Sequence, residues 1–293
     1  MKKRLQLGLY FIVFTLLFIS SIVFRNKLSL GVSFGIRYSL NVLIPSLFPL
    51  IFLSSLLSVS SLSGGFSKLF SPLTRQLFKL PGNCFLPIFM GLTCGYPVGA
   101  KLTAALFRDK KINAEEAGQL LLFVMNPGIP FSVLFVGGVL FRDLSLGFRI
   151  FGATCGASLL LGILSCIRKP VPQKRDFSDS GLPLLQAVNT AAKSALEATS
   201  TMCLYLVIFS AYLPLLHSWG VFQELVRHLA SPLFTQPEIA TILSFLGEVV
   251  QGTNDGVRLK VSAEIFALGL SFGGVCIHFQ IFSFFEKPPL PLR

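Results

Sequence analysis

Gly95-Tyr-Pro-Val-Gly99-Ala-Lys101-Leu102 and Gly252-Thr-Asn-Asp-Gly256-Val-Arg258-Leu259 decide how this chain folds. The first reads G-x-x-x-G-x-K-L, and the second reads G-x-x-x-G-x-R-L, 157 positions later. In each, glycines and turn-forming residues interrupt an apolar stretch where a membrane helix would otherwise run. Irregular backbone at membrane depth is tolerated only where protein or a wet cavity satisfies its N–H and C=O groups. Matching interruptions in two halves of a chain point to a binding site near the bilayer midplane.

The composition sets the class. The 293 residues are 53% hydrophobic and 13% charged, with 30 phenylalanines, against roughly 25% charge in soluble domains. Residues 5–24, 38–67, 80–100, 117–141, 150–167, 198–223 and 265–285 carry no Asp, Glu, Lys or Arg. A hydrocarbon core of about 30 Å needs about 20 apolar residues as helix, so this is an all-α polytopic membrane protein. The net charge of +12 lies in loops and reads as positive-inside bias rather than as a nucleic-acid surface. Six cysteines sit in or beside apolar segments without a C-x-x-C pair or metal spacing, so buried thiols are expected and no cofactor is implied.

Placing Lys2, Lys3 and Arg4 in the cytoplasm gives a trial topology. Residues 1–30 hold a retained signal-anchor helix over 5–24, because the apolar run is long and no A-x-A-like cleavage site follows it. A second crossing over 38–62 leads to an amphipathic stretch bearing Lys68, Arg75 and Lys79. Segment 84–107 is basic on both flanks and rich in Pro and Gly, so it is expected to return to its own side as a re-entrant hairpin. Crossings over 117–141 and 147–167 precede a breaker-rich basic linker, 168–181, on the cytoplasmic side. The second half repeats the order: a long helix over 187–216, an amphipathic stretch at 221–235, an interrupted segment at 238–259 and a last helix over 262–285. This layout leaves a roughly two-to-one excess of Lys and Arg on the cytoplasmic side, as the positive-inside rule requires.

The repeat extends beyond the glycines: Leu47, Phe48, Ile51 and Phe52 match Leu204, Tyr205, Ile208 and Phe209, and Ala114-Glu115 matches Ala263-Glu264. The units are therefore expected over 38–145 and 187–286, joined by 146–186. Their opening helices run in opposite senses in the trial topology, which makes the repeat inverted.

Candidate solute-binding residues follow from polarity at apparent membrane depth. Asn126, in Asn126-Pro-Gly-Ile-Pro130, sits where two prolines break a helix and free carbonyls. Asn254 and Asp255, preceded by Glu248 and Gln251, form the strongest polar group; Arg258 is also placed to pair structurally with Asp255 or Glu248. His278 and Gln280 follow a second break at Ser271-Phe-Gly-Gly274; His278 is either a functional group or a hydrogen-bonded membrane histidine. Lys101 has no acid near it in sequence, so snorkelling to the interface is its plain reading. Glu115, Glu116 and Glu264 fit helix starts. With Gly95, Tyr96, Pro97, Gly99, Gly252 and Gly256 at the motifs, these make up the expected site. G-x-x-x-G also occurs as a packing seam, but the neighbouring prolines and Asn-Asp favour hairpin tips. No nucleophile elbow, Walker motif, metal-ligand helix or carboxylate dyad occurs, so no enzyme is expected.

Phe89-Met-Gly-Leu-Thr-Cys-Gly-Tyr-Pro-Val-Gly-Ala-Lys101, Ile112-Asn-Ala-Glu-Glu-Ala117 and the break between Phe123 and Phe131 resemble the sporulation integral membrane protein YlbJ family, of the nucleoside-recognition or Gate group. The spacing Gly274 to Gln280 is similar to the family's late Gly-x-x-x-His-x-Gln. The resemblance implies Gate-like units, a bacterial inner-membrane protein with a cytoplasmic N-terminus and a role in spore cortex formation. It also implies a small polar solute, nucleoside-like or a cell-wall precursor, with a homo-oligomer as a possible assembly. Pro127 departs from the family pattern, which has a small polar residue there. A non-transporting scaffold acting through the linker is the other functional expectation.

Overall fold

The computed structural model describes residues 2–172, 181–218, 220–285 and 289. Among them every regular element is helical. Most of the linker, 173–180, and most of the tail lie outside these residues.

The first half begins with α1 (Lys2–Val23) and, after one turn residue at Phe24, α2 (Arg25–Val59). The second helix thus starts 13 residues before the sequence expectation. Gly31 and Gly35, which fall between the first two expected crossings, face a neighbouring helix. Pro45 offers no N–H to the preceding turn, and the helix widens into a π-turn at Ser39–Leu43, where Ile44 N–H reaches Ser39 O. The chain continues through α3 (Leu62–Phe78), α4 (Phe85–Cys94), α5 (Tyr96–Arg108), α6 (Ala114–Leu121), the π-helical α7 (Pro130–Phe141) and α8 (Leu144–Leu164). The second half holds α9 (Leu184–Ser218), α10 (Val221–Leu229), α11 (Gln236–Gly247), α12 (Val249–Leu259), α13 (Ala263–Phe272) and α14 (Gly274–Ser283).

After α1, the two halves show a similar order of elements: a 35-residue helix, α2 or α9, then an amphipathic helix, a helical hairpin and a broken helix. Among the described residues four helices are long and apolar enough to cross a bilayer: Arg25–Val59, Leu144–Leu164, Leu184–Leu215 and Ala263–Ser283. Segment 117–141 is not one continuous helix, its apolar part Pro130–Phe141 being short, whereas α1 runs for 22 residues, Lys2–Val23, over the first expected crossing. Hairpin arms of 10 to 13 residues rise only about 15–20 Å at about 1.5 Å per residue. Each reaches about half-way through a core of about 30 Å. The amphipathic α3 meets the segment Gly82–Cys94 at 94°, the bend of a broken span or of a re-entrant loop.

Sequence capping signals hold these pieces. Asn113 and Glu116 form a reciprocal capping box at α6, as do Thr235 and Glu238 at α11. Lys169 reaches back from the end of α8 to Glu115 (2.8 Å) and Gln119, and holds the Glu115 carboxyl below the usual range. The Arg75 guanidinium donates to Pro172 O at 2.7 Å, which ties the linker's start to α3.

The two long helices pack antiparallel. Gly31 of α2 lies against Ser210 and Ala211, Gly35 against Val207, and at the other end Leu182 N–H bonds Val59 O. Both long helices contribute to a single core shared by the two halves, through Leu43, Leu47 and Ile51 from α2 and Ala195, Met202 and Leu206 from α9. Small residues let the backbones approach, since no hydrophobic force drives helices together in lipid. A Cβ at Gly35 would stand 2.8 Å from the Val207 Cα, whereas Gly152 of α8 has open space. Gly35→Leu should therefore cost about 1–3 kcal/mol of stability by overpacking, and Gly152→Leu almost nothing. Thermal unfolding of both variants in detergent checks this.

Candidate functional site

The first hairpin breaks at Gly95, whose φ of 114° is open to glycine but strained for other residues. Pro97 begins α5, where its missing N–H is harmless. The break packs against the other interruption of its own half. A Cβ at Gly128 would stand 2.5 Å from Gly95 N, so Asn126-Pro127-Gly128 and Cys94-Gly95 touch backbone to backbone. Gly99 is a seam residue facing Gly91 across the hairpin.

The second hairpin breaks not at its glycine motif but one turn earlier, at Glu248. Glu248 is extended (φ −151°, ψ 129°), and its carboxylate accepts from Val250 N–H at 2.9 Å and Gln251 N–H at 2.7 Å. It is an N-cap placed at the tip of a half-helix and is 2% exposed. Gly252 and Gly256 lie inside α12 and make room for the Phe245 and Phe266 rings. The 157-residue register of the motifs is therefore slipped by about a turn relative to the breaks, and the second motif is the packing seam set aside above. The break between α13 and α14, Gly273-Gly274, again meets the hairpin: a Cβ at Gly274 would stand 2.6 Å from Phe245 O.

One contact joins the halves across this centre. The Tyr96 hydroxyl, on the first hairpin, donates to Leu270 O beside the second break, and the Tyr96 ring lies against Gly273. Gly95, Tyr96, Pro97, Pro127, Glu248 and Gln280 then share one cavity of about 40 Å³, closed by apolar residues of α2, α7 and α9. Such a space admits two or three waters, at about 10–15 Å³ each. A wider cavity of about 420 Å³ lies further along α5, α9 and the end of α14, and is lined by Lys101, Arg108, Lys193 and Glu197 with several hydroxyls. The Lys101 ammonium donates to Ser194 O of α9.

The remaining expected residues are placed elsewhere. Asp255 is buried but fully engaged within the second hairpin, with Arg258 (2.9 Å), Ser244 (2.7 Å) and Gln251 (3.2 Å). Asn254 bonds Val250 O of its own helix. Asn126 turns towards α8, donating to Ser158 Oγ at 2.8 Å. His278 bonds Gly274 O and stacks on Phe272, 4.9 Å between ring centres, in a separate apolar groove away from Gln280. Of the polar side chains expected in the site, Tyr96 and Gln280 thus reach the central cavity, and Lys101 reaches the wider one. Glu248 was named in sequence only as a neighbour of the motif. Its signal was a lone acid after Gly247 in an otherwise uncharged run. Among the described residues no group of His, Cys, Asp and Glu is arranged to hold a metal.

Residues 40–142, which include the first hairpin and the Asn126–Pro130 break, match the Gate family, described as nucleoside recognition. The chain is also 34% identical over 131 residues to the sporulation integral membrane protein YlbJ of Bacillus subtilis (strain 168). That match covers 44% of this chain and 32% of the relative, so it spans about a third of the relative's length. No solved structure matches the chain. The Gate match thus lies in the first half, and Glu248 and Gln280 lie outside it.

Glu248→Ala should leave two buried N–H groups without an acceptor and lower stability by about 1–3 kcal/mol. Glu248→Gln, which keeps a carbonyl acceptor, should lose less. Melting temperatures of the purified full chain in detergent give the comparison.

Proposed function

We propose that this membrane protein, a Gate-domain chain distantly related to a sporulation protein, binds and moves a small polar solute through its central cavity. The observation that carries the reading is convergence: the breaks of both hairpins, the break of the first broken helix and α14 beyond the second break line one cavity, with Tyr96, Glu248 and Gln280 as its polar side chains. Half-helix ends meeting at the midplane are how many secondary transporters hold a solute. The antiparallel α2 and α9, of equal length and at equivalent places in the two halves, support an inverted repeat with re-entrant hairpins.

The cavity is far smaller than the roughly 300 Å³ or more of a typical ligand site, so this is an occluded conformation. Entry would come from the wider cavity on the same helices. Its three basic groups against one acid concentrate solutes that carry negative charge. By the resemblance to its relative, we place the protein in the bacterial inner membrane with a role in sporulation, at spore cortex formation.

Uptake of labelled nucleosides and cell-wall precursors into proteoliposomes tests the reading. Wild type should accumulate one class. Gln280→Ala should lower uptake about tenfold, the effect of one lost buried hydrogen bond. Lys101→Met should raise KM more than it lowers kcat, while His278→Ala should change neither. Absence of uptake or binding for every class would sink the reading. A sporulation defect on deleting 173–180, with Gln280→Ala silent, would favour the scaffold instead.

A further inference from the structure

Among the described residues, two acids are buried, Asp255 and Glu248. Asp255 is neutralised by Arg258. Glu248 has no basic partner: its contacts are two backbone N–H groups, and a carboxylate has about four acceptor positions. An ionised carboxylate in apolar surroundings without a cation is costly enough that it takes up a positive charge instead.

The surroundings decide which charge. Besides Tyr96 and Gln280, the cavity at Glu248 is lined by apolar residues such as Leu43, Leu47, Phe131, Met202 and Leu206. A hard metal cation needs about six or more oxygen ligands, and two neutral side-chain oxygens beside one carboxylate fall short of that shell; a proton needs only the carboxylate. A second, independent feature lies near it. The Tyr38 hydroxyl is buried with no hydrogen-bond partner, next to the π-turn of α2, and lies within electrostatic range of Glu248. Buried hydroxyls are rarely left unpaired, and π-turns concentrate at functional sites.

We propose that Glu248 is a proton-binding site, and that its loading and release couple solute movement to proton movement. The carboxylate takes a proton from cavity water open to one side and returns it to water open to the other; the O–H bond is all that forms and breaks. The titratable groups facing it are Tyr38 from α2, Cys276 from α14 and Tyr96 from α5, whose proton is given to Leu270 O. Residues Met202 and Leu206 of α9 and Phe131 of α7 bring no charge, and on α12 the charged pair Asp255–Arg258 is closed on itself. The coupling rests on the transport reading; the proton site does not.

Infrared spectra of the full chain in liposomes, recorded as the pH is raised, test the site. Wild type should show a protonated-carboxyl band near neutral pH, with the intensity of a single carboxyl per chain, that vanishes at high pH. Glu248→Gln should lack it throughout, and Asp255→Asn should retain it. Glu248→Asp keeps a carboxylate for the cap and should move the band's midpoint, which separates loss of the proton from loss of fold. Identical spectra for wild type and Glu248→Gln would overturn the proposal and leave an ionised helix cap. So would a band removed by sodium chloride but not choline chloride at fixed pH, the mark of a sodium site. Because no solute is needed, a chain that shows the band yet transports nothing would defeat the transport reading alone.

Discussion

Every part of this architecture answers to one constraint: backbone N–H and C=O groups freed within apolar surroundings must find partners inside the protein. The chain frees them at Gly95, Asn126–Gly128, Glu248 and Gly273-Gly274. They are not dispersed. In the first half Gly128 presses on Gly95, and in the second Gly274 presses on the Phe245 and Gly247 carbonyls. A break tolerated only beside another break pairs them within each half, and Gly95, Pro127 and Glu248 line the central cavity.

This explains how the two halves use different chemistry for the same task. The first closes its hairpin tip with glycine and backbone contact. The second closes it with a carboxylate that occupies the two amide groups a bound anion would otherwise seek. The half-helix N-terminus of α12 is therefore self-capped.

Much of the fold was legible, because its signals are local. Prolines, glycines and uncharged runs mark the long helices, the hairpins and the broken helices in the right order, and Asn113–Glu116 marks a helix start. What failed was the role of particular glycines. Gly31 and Gly35, outside every expected crossing, form a seam with α9, and Gly252 and Gly256 read as a tip yet accommodate Phe245 and Phe266. A glycine permits both a turn and a close approach, and only the partner, distant in sequence, decides between them. The facing of polar groups was equally hidden. Gln280 and His278 are two residues apart on one helix, so they point to different surfaces, and sequence alone does not say which surface is inside.

The unequal tips also imply unequal stiffness. In the second hairpin, Glu248 ties the tip to its own helix and the Asp255 network braces α11 to α12 through Ser244. The first hairpin has no side-chain cap at its tip, and across the halves its side-chain hydrogen bonds are those of Tyr96 to Leu270 O and, further from the tip, Lys101 to Ser194 O. Under thermal agitation it is the looser spring of the pair. A scaffold repetitive in length is then lopsided in compliance, with its yielding arm on the side of the basic cavity.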